Sequence, residues 1–257
     1  MADSTGEKRV VITADAAALA DSVAERFLTR VAKKSASRDV HVALTGGVSG
    51  TAVLRAAAAQ APRHSIDWTR VHFWWSDERF VRRLHPERNE RQSREALLDT
   101  LPGAHVHAAP ASDEGVDLDD AAAAYAAELA RYGTPDQPLW PVFDISFLGV
   151  GPDGHIASLF PDRPEILVTD ASVVAVRDSP KPPSQRLTFT RPVINSSRRV
   201  WLVLSGPDKA SALGLALAGA SYASVPAAGA KGTKRTIFFV DQDAAAQVPP
   251  ELIDRDY

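Results

Sequence analysis

The sequence predicts an α/β protein with a Rossmann-like fold, in which helices cover both faces of a mostly parallel sheet. Short apolar runs alternate with helical segments along almost the whole chain, as expected of a sheet built from crossover units. The run VFDISFLGV, residues 142–150, is apolar nearly throughout, as is typical of a strand buried on both faces. There is no internal repeat, and the proline-rich stretch 178–186 predicts a surface loop. We therefore expect one domain over residues 1–257.

The predicted strands are short runs of β-branched and aromatic residues bounded by turn or charged positions. In chain order they cover residues 9–13, 39–45, 70–78, 105–109, 142–150, 172–176, 186–190, 199–204 and 235–241. In the third run Trp74 and Trp75 are adjacent, and successive strand residues point to opposite faces. We expect at least one of these two rings to lie in the core.

The predicted helices carry apolar residues at helical spacing. They cover residues 15–34, 49–60, 87–101, 117–133 and 207–219. In the first helix, four apolar residues recur at every fourth position, namely Leu19, Val23, Phe27 and Val31. The fourth helix closes on Gly133, because glycine is common just after a helix end.

The composition excludes several functional classes. Of the 257 residues, 45% are hydrophobic and 24% charged, which is typical of a soluble globular protein. The net charge of −3 provides no global attraction for nucleic acid or anionic lipid. There is no cysteine, which excludes disulfides, thiol catalysis and Cys-ligated zinc. With a polar N-terminus and no apolar run near the ~20 residues of a membrane span, we expect a cytoplasmic protein without nucleic-acid or membrane partners.

Four predicted strands end in stretches rich in glycine or charge. In open α/β sheets, ligands bind outside the carboxyl ends of the strands, so these ends are the candidate site. They are TGGVSG at 45–50, SDERF at 76–80, GVGPDGH at 149–155 and SGPDK at 205–209.

The third of these stretches contains the letters of a dinucleotide fingerprint, G-x-G-x-x-G. Its glycines are Gly149, Gly151 and Gly154. A dinucleotide site needs a full helix after the third glycine, but Pro161 and Pro164 leave no room for one. We therefore expect no NAD, and interpret the glycines as a loop that brings its backbone close to a small ligand beside His155.

Read together, these stretches resemble the 6-phosphogluconolactonase family. TGGVSG, SDERFV followed by ERN, GVGPDGHIASLFP, PKPPSQRLTFT and SGPDKA occur in the family's order and spacing across essentially the whole chain. The resemblance implies a Rossmann-like fold that uses neither a nucleotide nor a metal cofactor. It also implies the second step of the pentose phosphate pathway, the hydrolysis of 6-phosphoglucono-δ-lactone to 6-phosphogluconate.

His155 and Asp153 are the candidate catalytic residues. Lactone hydrolysis needs a water that loses a proton as it attacks C1, and a neutral imidazole is able to accept that proton. Asp153 is close enough along the chain to orient the ring. We expect backbone N–H groups of the glycine turns to stabilise the oxyanion. The alternative is that His155 only caps the segment that follows it.

The substrate's phosphate needs local positive groups. The turn TGGVSG offers backbone N–H groups at a helix N-terminus, and its expected substrate-binding residues are Thr45, Gly46, Gly47 and Ser49. Lys209 lies in the first turn of a predicted helix, where a cation opposes the helix dipole, which suggests an anion between them. The planar guanidinium of Arg186 suits bidentate phosphate contact. The alternatives are that TGGVSG is an ordinary βα turn and that Arg186 and Lys209 are solvated surface charges.

The resemblance implies that Asp77 and Arg79 line the sugar site. Asp77 is expected to accept hydrogen bonds from hydroxyl groups, whereas Arg79 either binds phosphate or polarises the carbonyl. Asn89 is a weaker candidate for this site, because an asparagine at a helix start is usually an N-cap. His105 and His107 share a strand face, but two ligands without a third do not predict a metal site. His41 and His72 lie within strands, so we expect them to be packed.

Two other functions stay open at this stage. One is a glucosamine-6-phosphate deaminase, since that superfamily shares the Gly-Gly turn, Asp77, the D-G-H triplet and the late lysine. The resemblance places a catalytic glutamate of the deaminases five residues after the histidine, where this chain has Phe160. The other is a non-catalytic protein that binds sugar phosphates.

Overall fold

The computed structural model describes residues 8–246 and 248–254. Its strands are β1 (Lys8–Thr13), β2 (Val40–Leu44), β3 (Val71–Trp75), β4 (Asp77–Arg79), β5 (His105–Val106), β6 (Ile145–Gly149), β7 (Val173–Val176), β8 (Arg186–Phe189), β9 (Arg199–Leu204) and β10 (Arg235–Asp241). Its α-helices are α1 (Ala16–Ser35), α2 (Gly47–Gln60), α3 (Asn89–Ala96), α4 (Leu118–Ala130), α5 (Arg191–Ser196) and α6 (Ala210–Leu217). The predicted domain bounds, 1 and 257, lie outside the described residues, so that extent stays a prediction.

The main sheet has seven strands in the order β1-β10-β9-β6-β2-β3-β5, and its strands pair in parallel. The neighbours β2 and β6 pair at Val42 and Ile145. From β2 the chain proceeds to β3 on one side, and from β6 the sheet continues to β9 on the other. This divergence is the kind of switch point at which α/β proteins bind ligands. The predicted α/β fold is confirmed.

Alternate residues of the central strands enter two different hydrophobic cores. Phe147, Trp201 and Phe239 pack with α1 and α2. Leu148 and Leu202, each one position further along, pack with α4 and α6 on the other face. This arrangement follows from the two-residue period of a strand. It confirms that helices cover both faces.

Trp74 and Trp75 obey the same alternation. Trp74 lies in the core with α4, Trp75 lies in the core with α1, and both rings are buried. The predicted packing of these two rings is therefore confirmed. No helix in the described ranges is long and apolar enough to cross a membrane.

The third predicted strand was extended too far. After Trp75 the chain leaves the main sheet at Ser76, whose N–H still donates to the carbonyl of Leu44 at 2.9 Å. The next residues form β4, which pairs antiparallel with β8 in a separate three-stranded sheet, β4-β8-β7. In that pairing Asp77 lies opposite Thr188, and Arg79 lies opposite Arg186. A pairing so distant in sequence has no local signal, yet it brings three predicted site residues together.

The third predicted helix is shorter than residues 87–101. The α-helix ends at Ala96, and a 3₁₀ turn follows over Leu98–Thr100. Leu97 between them has φ −151° and ψ −52°, outside the helical region. The interruption lets Leu97 and Leu98 both turn into the core, where they are buried.

Histidines from three neighbouring strands stack at one edge of the sheet. His41 lies against His72 with ring centroids 4.6 Å apart, and His72 lies against His105 at 4.3 Å. His72 Nδ1 is 3.0 Å from His107 Nε2. The other ring nitrogen of His107, Nδ1, is 2.9 Å from Glu128 Oε1. The predicted packing of His41 and His72 is confirmed. Among the described residues, no group of three metal-ligating side chains is placed to hold a metal ion.

Candidate active site

A cavity of about 510 Å³ lies at the carboxyl ends of β2, β6 and β9, within the usual size range of small-molecule sites. It is the place that the strand-end argument predicts. The predicted site residues that line it are Thr45, Gly46, Gly47, Ser49, Asp77, Arg79, His155, Arg186 and Lys209. The remaining one, Asp153, contacts the ring of His155.

The loop after β6 folds tightly enough to place His155 back over its own backbone. The N–H of Gly151 donates to the carbonyl of His155 at 2.9 Å, and that of Gly154 donates to Gly151 at 2.9 Å. A Cβ on Gly151 would lie 2.0 Å from His155 Nδ1, which is a collision, and Gly154 has φ +82°, a conformation that favours glycine. The described chain has no α-helix between β6 and α5. The glycines therefore form a ligand-facing loop and not a dinucleotide turn.

His155 and Asp153 form a hydrogen-bonded pair. Nδ1 of His155 lies 2.5 Å from Asp153 Oδ1, so Nδ1 carries the proton when the imidazole is neutral. Nε2 then has a free lone pair, and it makes no hydrogen bond to any described residue. The ring rests on Phe160, with centroids 4.6 Å apart, and the side chain is 14% exposed. This geometry is the one that a general base and its orienting carboxylate require.

The pKa values of the pair keep it ready to accept a proton. Burial lowers the pKa of His155 below its ordinary value of 6.5, and Asp153 opposes that shift without cancelling it. Burial raises the pKa of Asp153, but the hydrogen bond to His155 and the charge of Lys181 outweigh it and lower the pKa. At neutral pH the imidazole is therefore neutral and the carboxylate is ionised.

The N-terminus of α2 is open toward the cavity. Gly46 occupies the N-cap position, no side chain caps the helix, and its first turn contains no acidic residue. The uncapped N–H groups and the helix dipole favour an anion here. Thr45 holds the turn against the end of β6, because its Oγ1 accepts a hydrogen bond from the N–H of Gly149 at 3.2 Å.

Asp77 and Arg79 enter the cavity from β4. Asp77 is 6% exposed, and Oδ2 accepts a hydrogen bond from Ser158 Oγ at 2.7 Å, which fixes the carboxylate. Arg79 donates through Nη1 to the carbonyl of Glu87 at 2.6 Å. Its buried Nε has no hydrogen-bond partner among the described groups, so a donor remains for a ligand.

Arg186 and Lys209 also line the cavity. Lys209 lies at the N-cap position of α6, so its charge is at the positive end of the helix dipole, as predicted. Its Nζ lies 3.0 Å from Asp208 Oδ2. Arg186 is 4% exposed, and Nη1 lies 4.0 Å from Asp77 Oδ2. Most of its other donors face the carbonyls of the proline-rich loop.

The cavity wall carries more positive than negative groups. Four cationic residues line it, Arg79, Lys181, Arg186 and Lys209, against two anionic ones, Asp77 and Asp208. The chain as a whole has a net charge of −3. This local excess suits an anionic ligand, as a charged cleft concentrates ligands of opposite sign.

Two further residues line the wall, the weaker candidate Asn89 and Lys181, which the sequence analysis missed. Asn89 does not take the N-cap position that made it the weaker candidate, because Arg88 holds that position and Asn89 begins α3. Asn89 donates through Nδ2 to the carbonyl of Asp77 at 2.9 Å, and its buried Oδ1 has no partner among the described groups. Lys181 lies in the predicted surface loop 178–186, which instead folds against the cavity. The sequence feature that could have identified Lys181 is its place in a proline-rich loop that leads directly to the site candidate Arg186.

Comparison with known proteins identifies the family. The model of the family described as glucosamine-6-phosphate isomerases/6-phosphogluconolactonase matches residues 14–239. The chain belongs to this family. The resemblance drawn from the motifs is therefore confirmed, and every predicted site residue lies inside the matched range.

Named relatives within the family cover nearly the whole chain. A Streptomyces coelicolor protein named 6-phosphogluconolactonase is 45% identical over 250 residues, which are 95% of this chain and 96% of that protein. A Mycobacterium tuberculosis protein of the same name is 50% identical over 212 residues, covering 81% of this chain and 85% of that protein. The crystal structure of 6-phosphogluconolactonase from Thermotoga maritima is 28% identical, with a TM-score of 0.77, and covers 92% of this chain and 100% of that chain.

Proposed function

We propose that this chain hydrolyses 6-phosphoglucono-δ-lactone to 6-phosphogluconate in the oxidative pentose phosphate pathway. The observation that carries the proposal is the Asp153–His155 pair at the wall of a cavity with an excess of positive charge. The names of the relatives supply the substrate class, and the pair supplies the chemistry. We further propose that the protein acts in the cytoplasm on this small molecule, without a nucleotide, metal, membrane or nucleic-acid partner.

The catalytic step follows from the orientation of the ring. Nε2 of His155 accepts a proton from a water as that water attacks C1 of the lactone, and Asp153 stabilises the imidazolium that forms. The tetrahedral oxyanion collapses with cleavage of the bond from C1 to the ring oxygen, and the imidazolium returns its proton to that oxygen. Water is thereby added across the ester bond, and the product is the open-chain acid.

The oxyanion needs donors that are not already engaged. At the end of β6 and in the loop after it, the N–H groups of Gly149, Gly151 and Gly154 donate to protein acceptors. The first-turn amides of α2 and the unpartnered Nε of Arg79 remain. These groups supply the electrostatic stabilisation that ester hydrolysis requires.

The deaminase alternative lacks a proton-transfer group. Ring opening and deamination need more acid–base groups than lactone hydrolysis. Phe160 stands where the resemblance places the deaminases' glutamate, and its buried ring supports His155. No carboxylate occurs from Gly154 to Pro161. Asp77 is retained, so the alternative is tested together with the main proposal.

The test is an assay on freshly generated 6-phosphogluconolactone, corrected for spontaneous hydrolysis. We expect the wild-type rate to exceed the spontaneous rate clearly and His155→Ala to lower kcat by roughly 10²–10⁴-fold, the usual contribution of general base catalysis. Binding of 6-phosphogluconate should change little, which separates catalysis from binding. A folded His155→Ala variant that keeps most of its activity would show that His155 is not the general base. Ammonia release from glucosamine 6-phosphate would show that the protein is a deaminase and not a lactonase.

A further inference from the structure

The loop that carries Lys181 is fastened at its backbone. Arg186 donates through Nη2 to the carbonyls of Lys181 and Pro182, both at 3.0 Å, and through Nε to that of Pro183 at 3.1 Å. Ser179 Oγ donates to the carbonyl of Lys181 at 2.9 Å and accepts from its N–H at 3.3 Å. The buried guanidinium therefore fixes the point from which the lysine side chain starts.

The side chain of Lys181 turns into the cavity with its donors unused. It lines the cavity wall, is 41% exposed, and places Nζ 3.8 Å from Asp153 Oδ1. This separation gives charge attraction but is too long for a hydrogen bond. Nζ makes no hydrogen bond to any described residue, so the three donors of the ammonium remain available.

Lys181 and Lys209 face the same space. Burial lowers the pKa of Lys181, Asp153 opposes that shift, and the positive charges of Lys209 and Arg186 lower the pKa further. Two ammonium groups held near each other repel, and a dianion between them removes the repulsion. Both side chains line the same cavity, so an anion in that cavity is able to meet both charges.

The shape of the lactone connects this site to His155. In the six-membered ring, only the ring oxygen, C5, C6 and the ester oxygen separate C1 from phosphorus. When C1 lies against His155, the phosphate must lie a short distance away in the same cavity. Lys181 lines this cavity, with Nζ 3.8 Å from the carboxylate that holds His155.

We propose that Lys181 binds the phosphate of the substrate together with Lys209. The phosphate displaces the loose attraction between Lys181 and Asp153, and its charge-assisted hydrogen bonds take the unused donors. The buried guanidinium of Arg186 holds the loop in place for this contact. The proposal rests on the proposed function for the identity of the ligand.

The experiment compares Lys181→Met and Lys181→Arg with the wild type. For Lys181→Met, we expect the Kd of 6-phosphogluconate, measured by calorimetry, and the KM of the phosphorylated lactone to rise roughly 10- to 100-fold, because hydrogen bonds to charged groups contribute that much. The KM of unphosphorylated glucono-δ-lactone should rise far less than that of the phosphorylated lactone, and Lys181→Arg should keep most of the affinity for 6-phosphogluconate. The matched control is Lys33→Met, at the exposed far end of α1, which should behave as wild type.

Two results with Lys181→Met would overturn the proposal. One is wild-type affinity of Lys181→Met for 6-phosphogluconate. The other is an equal loss on phosphorylated and unphosphorylated lactones with a displaced acid limb, which would show that Lys181 acts on the Asp153–His155 pair instead. If the wild type bound 6-phosphogluconate but hydrolysed no lactone, the proposed function would fail while the binding comparison would still decide the role of Lys181. A wild type that did not bind 6-phosphogluconate would overturn the inference as well.

Discussion

At the scale of single residues, the site depends on the partner of each polar atom. The proposed base role of His155 requires that Nδ1 holds its proton toward Asp153, at 2.5 Å, so that Nε2 is free to accept a proton. An asparagine at position 153 would present an amide that is able to donate to Nδ1 and thereby favour the opposite tautomer. The carboxylate is therefore a positioning residue with an electrostatic effect of its own.

Replacing Asp153 with asparagine should lower kcat and move the acid limb of the pH profile. Asp153 raises the pKa of His155 against the effect of burial, so its removal lowers that pKa further. Because the neutral ring is the active form, activity is lost as pH falls through this pKa, and the limb should move to lower pH. We expect kcat to fall by less than the roughly 10²–10⁴-fold that the base itself contributes.

The pH dependence of kcat/KM checks this prediction, with Asp170→Asn as the control. Asp170 is exposed and lies outside the cavity wall, so its variant should keep the wild-type profile. An unmoved acid limb in Asp153→Asn would show that the carboxylate does not act through the ring of His155.

At the scale of single elements, the loop 149–155 is shaped by the close approach of its own side chains. A Cβ on Gly151 would meet His155 Nδ1 at 2.0 Å and Asp153 Oδ1 at 2.4 Å. Gly151 does not adopt the left-handed conformation, so alanine is compatible with its backbone. The cost of Gly151→Ala should therefore fall on the catalytic pair rather than on folding.

Gly151→Ala should lower kcat nearly as much as His155→Ala while shifting the melting temperature little. A double-mutant cycle makes the test specific, because residues that act through one contact are not additive. In the His155→Ala background the ring is absent, and Gly151→Ala should cost little further activity. Full additivity of the two losses would mean that Gly151 serves something other than the placement of His155.

Small elements that pair across long sequence distances assemble the rest of the site. β4 and β8 place Asp77 and Arg79 beside Arg186, and the buried carboxylate of Glu78 ties β4 to α3. It accepts from the N–H groups of Arg79, Asn89 and Glu90 at 2.7–2.8 Å. Asn89 is thereby held against Asp77, although neither its type nor its position in the sequence predicts that contact.

At the scale of the whole molecule, the histidines at the sheet edge link folding to pH. Burial is the main cause that lowers the pKa of His41 to about 3 and that of His72 to about 4, whereas in the unfolded chain both should titrate near 6.5. Between these values the unfolded chain binds more protons, so stability rises with pH. The two buried histidines leave the stability of the fold undiminished above about pH 6.5. Stability is lost as the pH falls from there toward 4, because the unfolded chain then takes up the protons. Burial raises the pKa of Glu78 to about 7, which acts in the opposite sense.

His41→Asn should isolate this contribution. The asparagine oxygen is able to replace His41 Nδ1 as the acceptor for Trp74 Nε1, which lies at 3.2 Å, but it does not titrate. Between pH 7 and pH 5 the wild type should lose about 1–2 kcal/mol more unfolding free energy than the variant. Urea titrations at the two pH values measure the difference, in which the effect of Glu78 cancels. Equal losses in both proteins would show that His41 is not kept neutral by burial.

Local patterns were sufficient for the architecture. The β-branched runs, the helical spacing of Leu19, Val23, Phe27 and Val31, and the alternation of strand and helix predict an α/β sheet with two covered faces, because each depends on neighbours within a few residues. The same holds for the loop at His155, since glycines and prolines restrict the backbone where they stand. The roles of Thr45, Ser49 and the other binding residues stay predictions.

The sequence by itself thus determined the class of fold, the edge of the sheet that carries the cavity and the likeness to one family. Only the tertiary structure decided that Asp77–Arg79 leaves the third strand for a second sheet, that Asn89 faces Asp77, and that Arg186 fastens the loop of Lys181. These contacts join residues far apart in the chain, and they form because buried charged and amide groups destabilise the fold unless they find partners. Such pairings leave no periodic pattern in the sequence, because the partners are the groups that the folded backbone brings close together.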